Sequence, residues 1–105
     1  MEAFQPDVPK YYPPEFSEQL KRGVLLRDQQ CVLCGMTPGE NMMRWKKKME
    51  THHIDYHKGH NTLDNLVLLC RKCHAKMHGS QRSRTIWKNR FVAYLHSKQS
   101  LLLPV

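Results

Sequence analysis

Residues 65–78 read N-L-V-L-L-C-R-K-C-H-A-K-M-H, and the fold is decided there. Leu66-Val67-Leu68-Leu69 is an apolar run of strand length. Ahead of it, Asp55 to Asp64 is polar and glycine-containing, which predicts a loop. Cys70 and Cys73 follow with two residues between them, a turn that points both thiolates at one ion. Helical spacing resumes at His74 and stops at Gly79. A strand running through a metal knuckle into a helix predicts a small α+β unit.

Working toward the N-terminus, a matching knuckle stands at Cys31-Val32-Leu33-Cys34-Gly35, with 35 residues between Cys34 and Cys70. Gly35 can take the positive φ that such a turn needs. Four thiolates satisfy the tetrahedral preference of zinc and leave no open position, so the site is expected to be structural. A redox role needs only one pair, and the duplication argues against it. The remaining alternative is a mixed site in which a histidine replaces one cysteine. A chain of 105 residues holds a single small core, for which a metal staple is expected. No apolar run approaches the roughly 18 residues of a membrane span. The opening MEAFQPDVPKYYPPEF lacks the basic start and apolar stretch of a signal peptide, which predicts an intracellular protein. In a reducing compartment paired cysteines favour metal over disulfide.

Outside the knuckles, Phe16, Leu20 and Val24 recur at helical steps and predict a helix from Glu15 to about Asp28. Thr37, Pro38, Gly39 and Asn41 predict a loop over residues 36–44. A strand is expected from Trp45 to Thr51, with His52-His53-Ile54 at its end. Trp87, Phe91, Tyr94 and Leu95 share one face of a last helix, from Ser83 to Lys98. Four prolines in residues 1–14 predict an extended arm. The predicted organisation is this arm, a domain over 15–98 with its core at 25–79, and a tail over 99–105.

The net charge of +8 and pI near 9.6 point to a polyanionic partner, nucleic acid first. Basic residues cluster at Arg44–Lys48, Arg71–Lys76 and Arg82–Arg90. Six of the seven histidines fall between positions 52 and 78. With zinc served by thiolates, these imidazoles are available for other work. If zinc ties the strands to the helix, His74 can face His52 and His53, and spacing alone makes a second metal site plausible.

C-V-L-C, then H-H-I, then N-L-V-L-L-C-R-K-C-H-A-K-M-H together resemble the HNH endonucleases over about residues 25–79. The resemblance implies a ββα-metal core: two antiparallel strands joined by a loop and followed by a helix, here with flanking helices. It implies that His53 is the general base, that His52 and His74 hold the catalytic divalent metal, and that Asn65 braces the loop and orients the base. His78 matches a trailing histidine that touches the phosphate or completes the site. His52 stands where aspartate is commoner in the family. An imidazole is the softer ligand, which favours manganese, nickel, cobalt or zinc over magnesium. The chemistry is consistent: one cation stabilises the phosphoryl and leaving oxygens, while an imidazole deprotonates water near neutral pH. Lys46, Lys47, Lys48, Arg71 and Lys72, with the basic C-terminal helix, are the expected DNA phosphate contacts. The resemblance is to small free-standing proteins, many encoded by bacteriophages beside DNA-packaging genes. It implies a bacterial host cytoplasm and packaging proteins as candidate partners.

Two other readings compete. One is a zinc-stapled module that binds nucleic acid without cutting it, and the other is an adaptor whose zinc only scaffolds a surface. The joint presence of His52, His53, Asn65 and His74 separates them from the nuclease, since neither requires that set. Oligomeric state, cleavage pattern and sequence preference are open at this level.

Overall fold

The computed structural model describes residues 17–102, with side chains described through Lys98. The predicted arm at 1–14 and residues 103–105 lie outside the described residues. In order, the elements are α1 (Glu18–Asp28), α2 (Pro38–Trp45), β1 (Glu50–His53), a 3-10 turn (Leu63–Asn65), β2 (Leu66–Leu69), α3 (Arg71–Ala75) and α4 (Gln81–Leu102). The α+β expectation holds: a two-stranded hairpin runs into a helix beside four clustered cysteines, with helices on either flank.

The hairpin is antiparallel, pairing Glu50 with Leu69, Thr51 with Leu68, His52 with Val67 and His53 with Leu66. Alternation puts Val67 and Leu69 on one face, where they join Ile54, Met77, Phe91 and the buried cysteines. Leu66 and Leu68 face the other way and pack on Val24 of α1. Both faces of β2 are therefore covered, which is why it is a continuous apolar run rather than an alternating one.

Three local predictions are corrected. Residues 36–44 are not a loop throughout, because α2 occupies Pro38–Trp45. Thr37 Oγ1 accepts from Glu40 N at 3.2 Å, and Thr37 N donates to Glu40 Oε1 at 2.9 Å. This is a capping box with proline in the first turn, so the proline that suggested a loop begins a helix. Trp45 to Met49 are consequently not strand. Lys46 closes α2 at φ 56°, and β1 starts only at Glu50, which places His52 and His53 inside the strand. Finally, the helix after the second knuckle opens at Arg71 with Cys70 as its cap, so His74 lies inside it. At the C-terminus, α4 runs through to Leu102, so helix continues into the segment expected to be tail.

Two buried polar side chains tie these pieces together. Asp28 accepts from Arg27 Nε at 2.7 Å, Leu68 N at 2.9 Å and the Tyr94 hydroxyl at 2.7 Å, joining α1, β2 and α4. Burial, with the Asp28 carboxylate beside it, pushes the Tyr94 phenol well above its usual range. Asn41 is fully buried. Its Nδ2 donates to Lys47 O at 2.7 Å and its Oδ1 accepts from Arg71 N at 3.0 Å, anchoring α2 to the start of α3.

Candidate active site and metal centres

The sulfurs of Cys31, Cys34, Cys70 and Cys73 all lie within 4.8 Å of one another, and none is in a disulfide. A tetrahedral zinc–thiolate site has zinc–sulfur bonds of about 2.3 Å, and sulfurs this close fit it. No histidine is needed to complete the set. Gly35 sits at φ 82°, as the knuckle requires, and its N–H donates to Cys31 O at 2.9 Å. Val32 N donates to Leu68 O at 3.1 Å, so the first knuckle docks directly on β2. Burial opposes ionisation of Cys31, but hydrogen bonds from nearby backbone groups outweigh it and hold the thiol at about 7. Burial and the crowding sulfurs push Cys73 up instead, the repulsion that a bound cation relieves.

The histidines gather in a second place. A cavity of about 260 Å³ is lined by Thr51, His52, His53, Tyr56, Lys58, His74, Met77 and His78. The rings of His52 and His74 are 5.4 Å apart, and those of His74 and His78 are 6.3 Å apart. His52 is buried, and its Nε2 has no hydrogen-bond partner. Burial, reinforced by the neighbouring imidazoles of His74, His53 and His78, pushes its pKa down to about 3. A neutral imidazole with an unpartnered buried nitrogen is suited to ligate a cation. On the opposite wall, His74 Nδ1 is hydrogen-bonded to a carboxylate oxygen of Glu50, which leaves the ring's lone pair on Nε2 to face a cation. Glu50 and His52 are two residues apart in β1 and so share the face that meets α3.

His53 is also buried, and its Nε2 is 2.8 Å from Oδ1 of Asn61. Asn65 makes a different set of bonds. Its Nδ2 donates to Asp55 Oδ1 at 2.9 Å and to His60 O at 3.0 Å, and its Oδ1 accepts from Asp55 N at 3.2 Å. Asn65 thus closes the neck of the loop between the strands, while Asn61 contacts the histidine. Burial opposes ionisation of Asp55, but bonds from His60, the His57 amide and Asn65 outweigh it and hold its carboxyl at about 2.

His52, His53, His74 and His78 are therefore brought together, with Asn65 just behind them. Lys46, Lys47 and Lys48 sit at the end of α2 and in the connection to β1, and Arg71 and Lys72 are exposed on α3. None of these five lines the histidine cleft, whereas Lys58 does. Glu50 and Asn61 were not singled out from sequence. Glu50 stands two residues before His52, and a carboxylate on that strand face was the available signal. Asn61 gave none, because its contact depends on the path of the loop.

Two cysteine knuckles and a cleft of histidines thus share one ββα hairpin. The profile of the HNH endonuclease family matches residues 31–80, from the first cysteine to just past His78. A protein of Acanthamoeba polyphaga mimivirus, named as a DNA mismatch repair protein mutS homolog, is 36% identical over 64 residues. That alignment takes in 48% of this chain and 5% of the mimivirus protein, so the chain spans only a small part of that relative. No solved structure matches the chain. Among the described residues no helix is long and apolar enough to cross a membrane.

Proposed function

We propose that the chain is a metal-dependent DNA endonuclease whose histidine cleft hydrolyses phosphodiester bonds. The observation that carries this reading is the buried, unpartnered Nε2 of His52, sharing one cavity with His53 and with a His74 already held by Glu50. The HNH profile match agrees with it, and the name of the mimivirus relative agrees with DNA as substrate.

His52 and His74 would hold the catalytic divalent cation, with His78 near enough to join them or to meet the phosphate. When bound, that cation supplies charge stabilisation to the phosphoryl and leaving oxygens. His53 takes the proton from the attacking water. With Oδ1 of Asn61 as acceptor, His53 Nε2 carries hydrogen and Nδ1 presents the basic lone pair. Asn65 keeps the loop closed so that Asn61 stays in reach. Two imidazole ligands favour manganese, nickel, cobalt or zinc over magnesium. Lys46, Lys47, Lys48, Arg71 and Lys72 supply exposed positive charge for DNA outside the cleft. The bacterial or bacteriophage setting, with packaging proteins as partners, follows from resemblance to free-standing HNH proteins.

The test is cleavage of supercoiled plasmid by the zinc-loaded protein with each of magnesium, manganese, nickel and cobalt, against EDTA and a His53→Ala variant. Metal-dependent nicking or linearisation that the variant loses supports the proposal. Equal cutting by the variant removes His53 as base. DNA binding with no cutting under any metal favours the non-catalytic binding module.

A further inference from the structure

Tyr56 separates two cavities. It lies at φ 65°, a left-handed conformation that is uncommon for a bulky residue, and its hydroxyl donates to Met77 O at 3.0 Å. On one side its ring meets His52 at 5.0 Å between centroids. The Arg84 guanidinium of α4 stands 4.7 Å from the ring centroid. Beyond Tyr56 from the histidine cleft, a second cavity of about 460 Å³ is lined by Arg84 and Lys88 together with His57, Gln81 and Asn89, among others.

Arg84 and Lys88 are four residues apart on α4, so they project from the same face of the helix. Neither has a carboxylate partner among the described residues. Asp55 also lines this cavity, but its carboxylate is committed to His60, the His57 amide and Asn65. Two unneutralised cations in a concave polar site, one of them oriented by an aromatic face, make a seat for an anion. One DNA strand places a phosphate about every 3.4 Å along its axis. A cation one aromatic ring away from the histidine cleft therefore meets a phosphate close to the scissile one.

We propose that Arg84 and Lys88 seat a phosphate of the substrate strand a few nucleotides from the point of cleavage. This fixes the register of the DNA in the histidine cleft, and it rests on the nuclease reading above. Of the three basic stretches read from sequence, the C-terminal helix is the one that lines this cavity, through Arg84 and Lys88.

The test measures binding of a labelled DNA duplex to zinc-loaded His53→Ala protein by fluorescence anisotropy across a salt series. Adding Arg84→Gln and Lys88→Gln is expected to weaken binding and lower the salt slope by about 0.9, the value of one phosphate contact. Lys88→Gln alone, at an exposed position, moves both in the same direction by less. Zinc content and the unfolding midpoint report whether each variant is folded. The comparator is Arg82→Gln with Arg90→Gln, an equal charge change at a separate groove beside Trp87. An unchanged slope in the Arg84/Lys88 variant overturns the seat, and so does an equal loss in the comparator. If the parent protein neither binds nor cuts DNA, the nuclease reading fails along with the seat. If it does both and only the seat variant is indistinguishable from it, the seat alone fails.

Discussion

The two clusters on this hairpin are built on opposite plans. The four sulfurs come from two short turns, each specified by neighbours in sequence, and four thiolates are what a closed tetrahedral zinc site takes. The histidine cleft draws His52 and His53 from a strand, His74 from a helix and His78 from the turn after it, and it has room for substrate. One site is closed and made of two paired turns, the other open and made from a strand, a helix and the segment after it. In a domain this small, the closed site supplies the rigidity that the open one lacks.

The strongest way to break this contrast is to remove the zinc. Chelation, or Cys73→Ser, is expected to abolish cooperative unfolding in circular dichroism melts. Structural zinc contributes on the order of 10 kcal/mol in small domains, comparable with the whole stability of such a fold. His74→Ala, one residue away, should leave a folded, zinc-loaded protein. A cleft substitution that unfolds the chain as completely would show that the two sites are not separable.

Next in size is the proposed base. His53→Ala is expected to lower the cleavage rate by about 10² to 10⁴ with zinc content and melting unchanged. Asn61→Ala should lower it by less and shift the pH–rate profile, since it alters the hydrogen bond on the imidazole. A pH profile identical to that of the parent would leave Asn61 with a packing role only.

Glu50→Gln addresses the outer layer of the cleft. Loss of a carboxylate behind a ligand histidine typically costs about 10- to 100-fold in metal affinity. Calorimetric titration of cobalt or nickel into zinc-loaded protein should show this weakening at the cleft, while the zinc stays in place. Affinity equal to the parent would mean that Glu50 is a surface carboxylate and no more.

The smallest effect concerns acid stability. His52 has its folded pKa lowered from 6.5 to about 3, so between those values the unfolded chain binds the extra proton. Its contribution is present above pH 6.5 and is lost as pH falls toward 3. The melting midpoint of the parent should therefore drop with acidification more steeply than that of His52→Phe, which cannot titrate. Parallel curves would mean that His52 is solvated in the folded protein.

What could be read from sequence followed the same division. The knuckles, β2 and the apolar face of α4 were legible because each depends on spacing within a few residues. Thr37-Pro38-Gly39-Glu40 was misread because proline and glycine mark loops and helix starts alike, and only the Thr37–Glu40 reciprocity decides between them. The start of β1 was placed too early because the left-handed turn at Lys46 has no glycine to announce it. Spacing around the knuckles was enough to bring His74 toward His52 and His53, whereas adding Asn65 to them required resemblance to a family. Asn61, Glu50 and Tyr56, and the place of Arg84 within its basic cluster, remained hidden because their contacts are made only when the loop has closed and α4 has packed.

β2 runs for four residues between Asn65 at one end and Cys70 at the other, buried along its whole length. It works as a gauge block: the five steps from Asn65 to Cys70 set about 16 Å between the loop neck and the second cysteine knuckle at about 3.3 Å per residue. The loop before it could gain or lose residues at little cost. An insertion of one residue within β2 would exchange its two faces, turning either the knuckle or the loop neck away from its partners. The tolerance of this domain to length change should therefore be lowest in one of its shorter and least chemically distinctive elements.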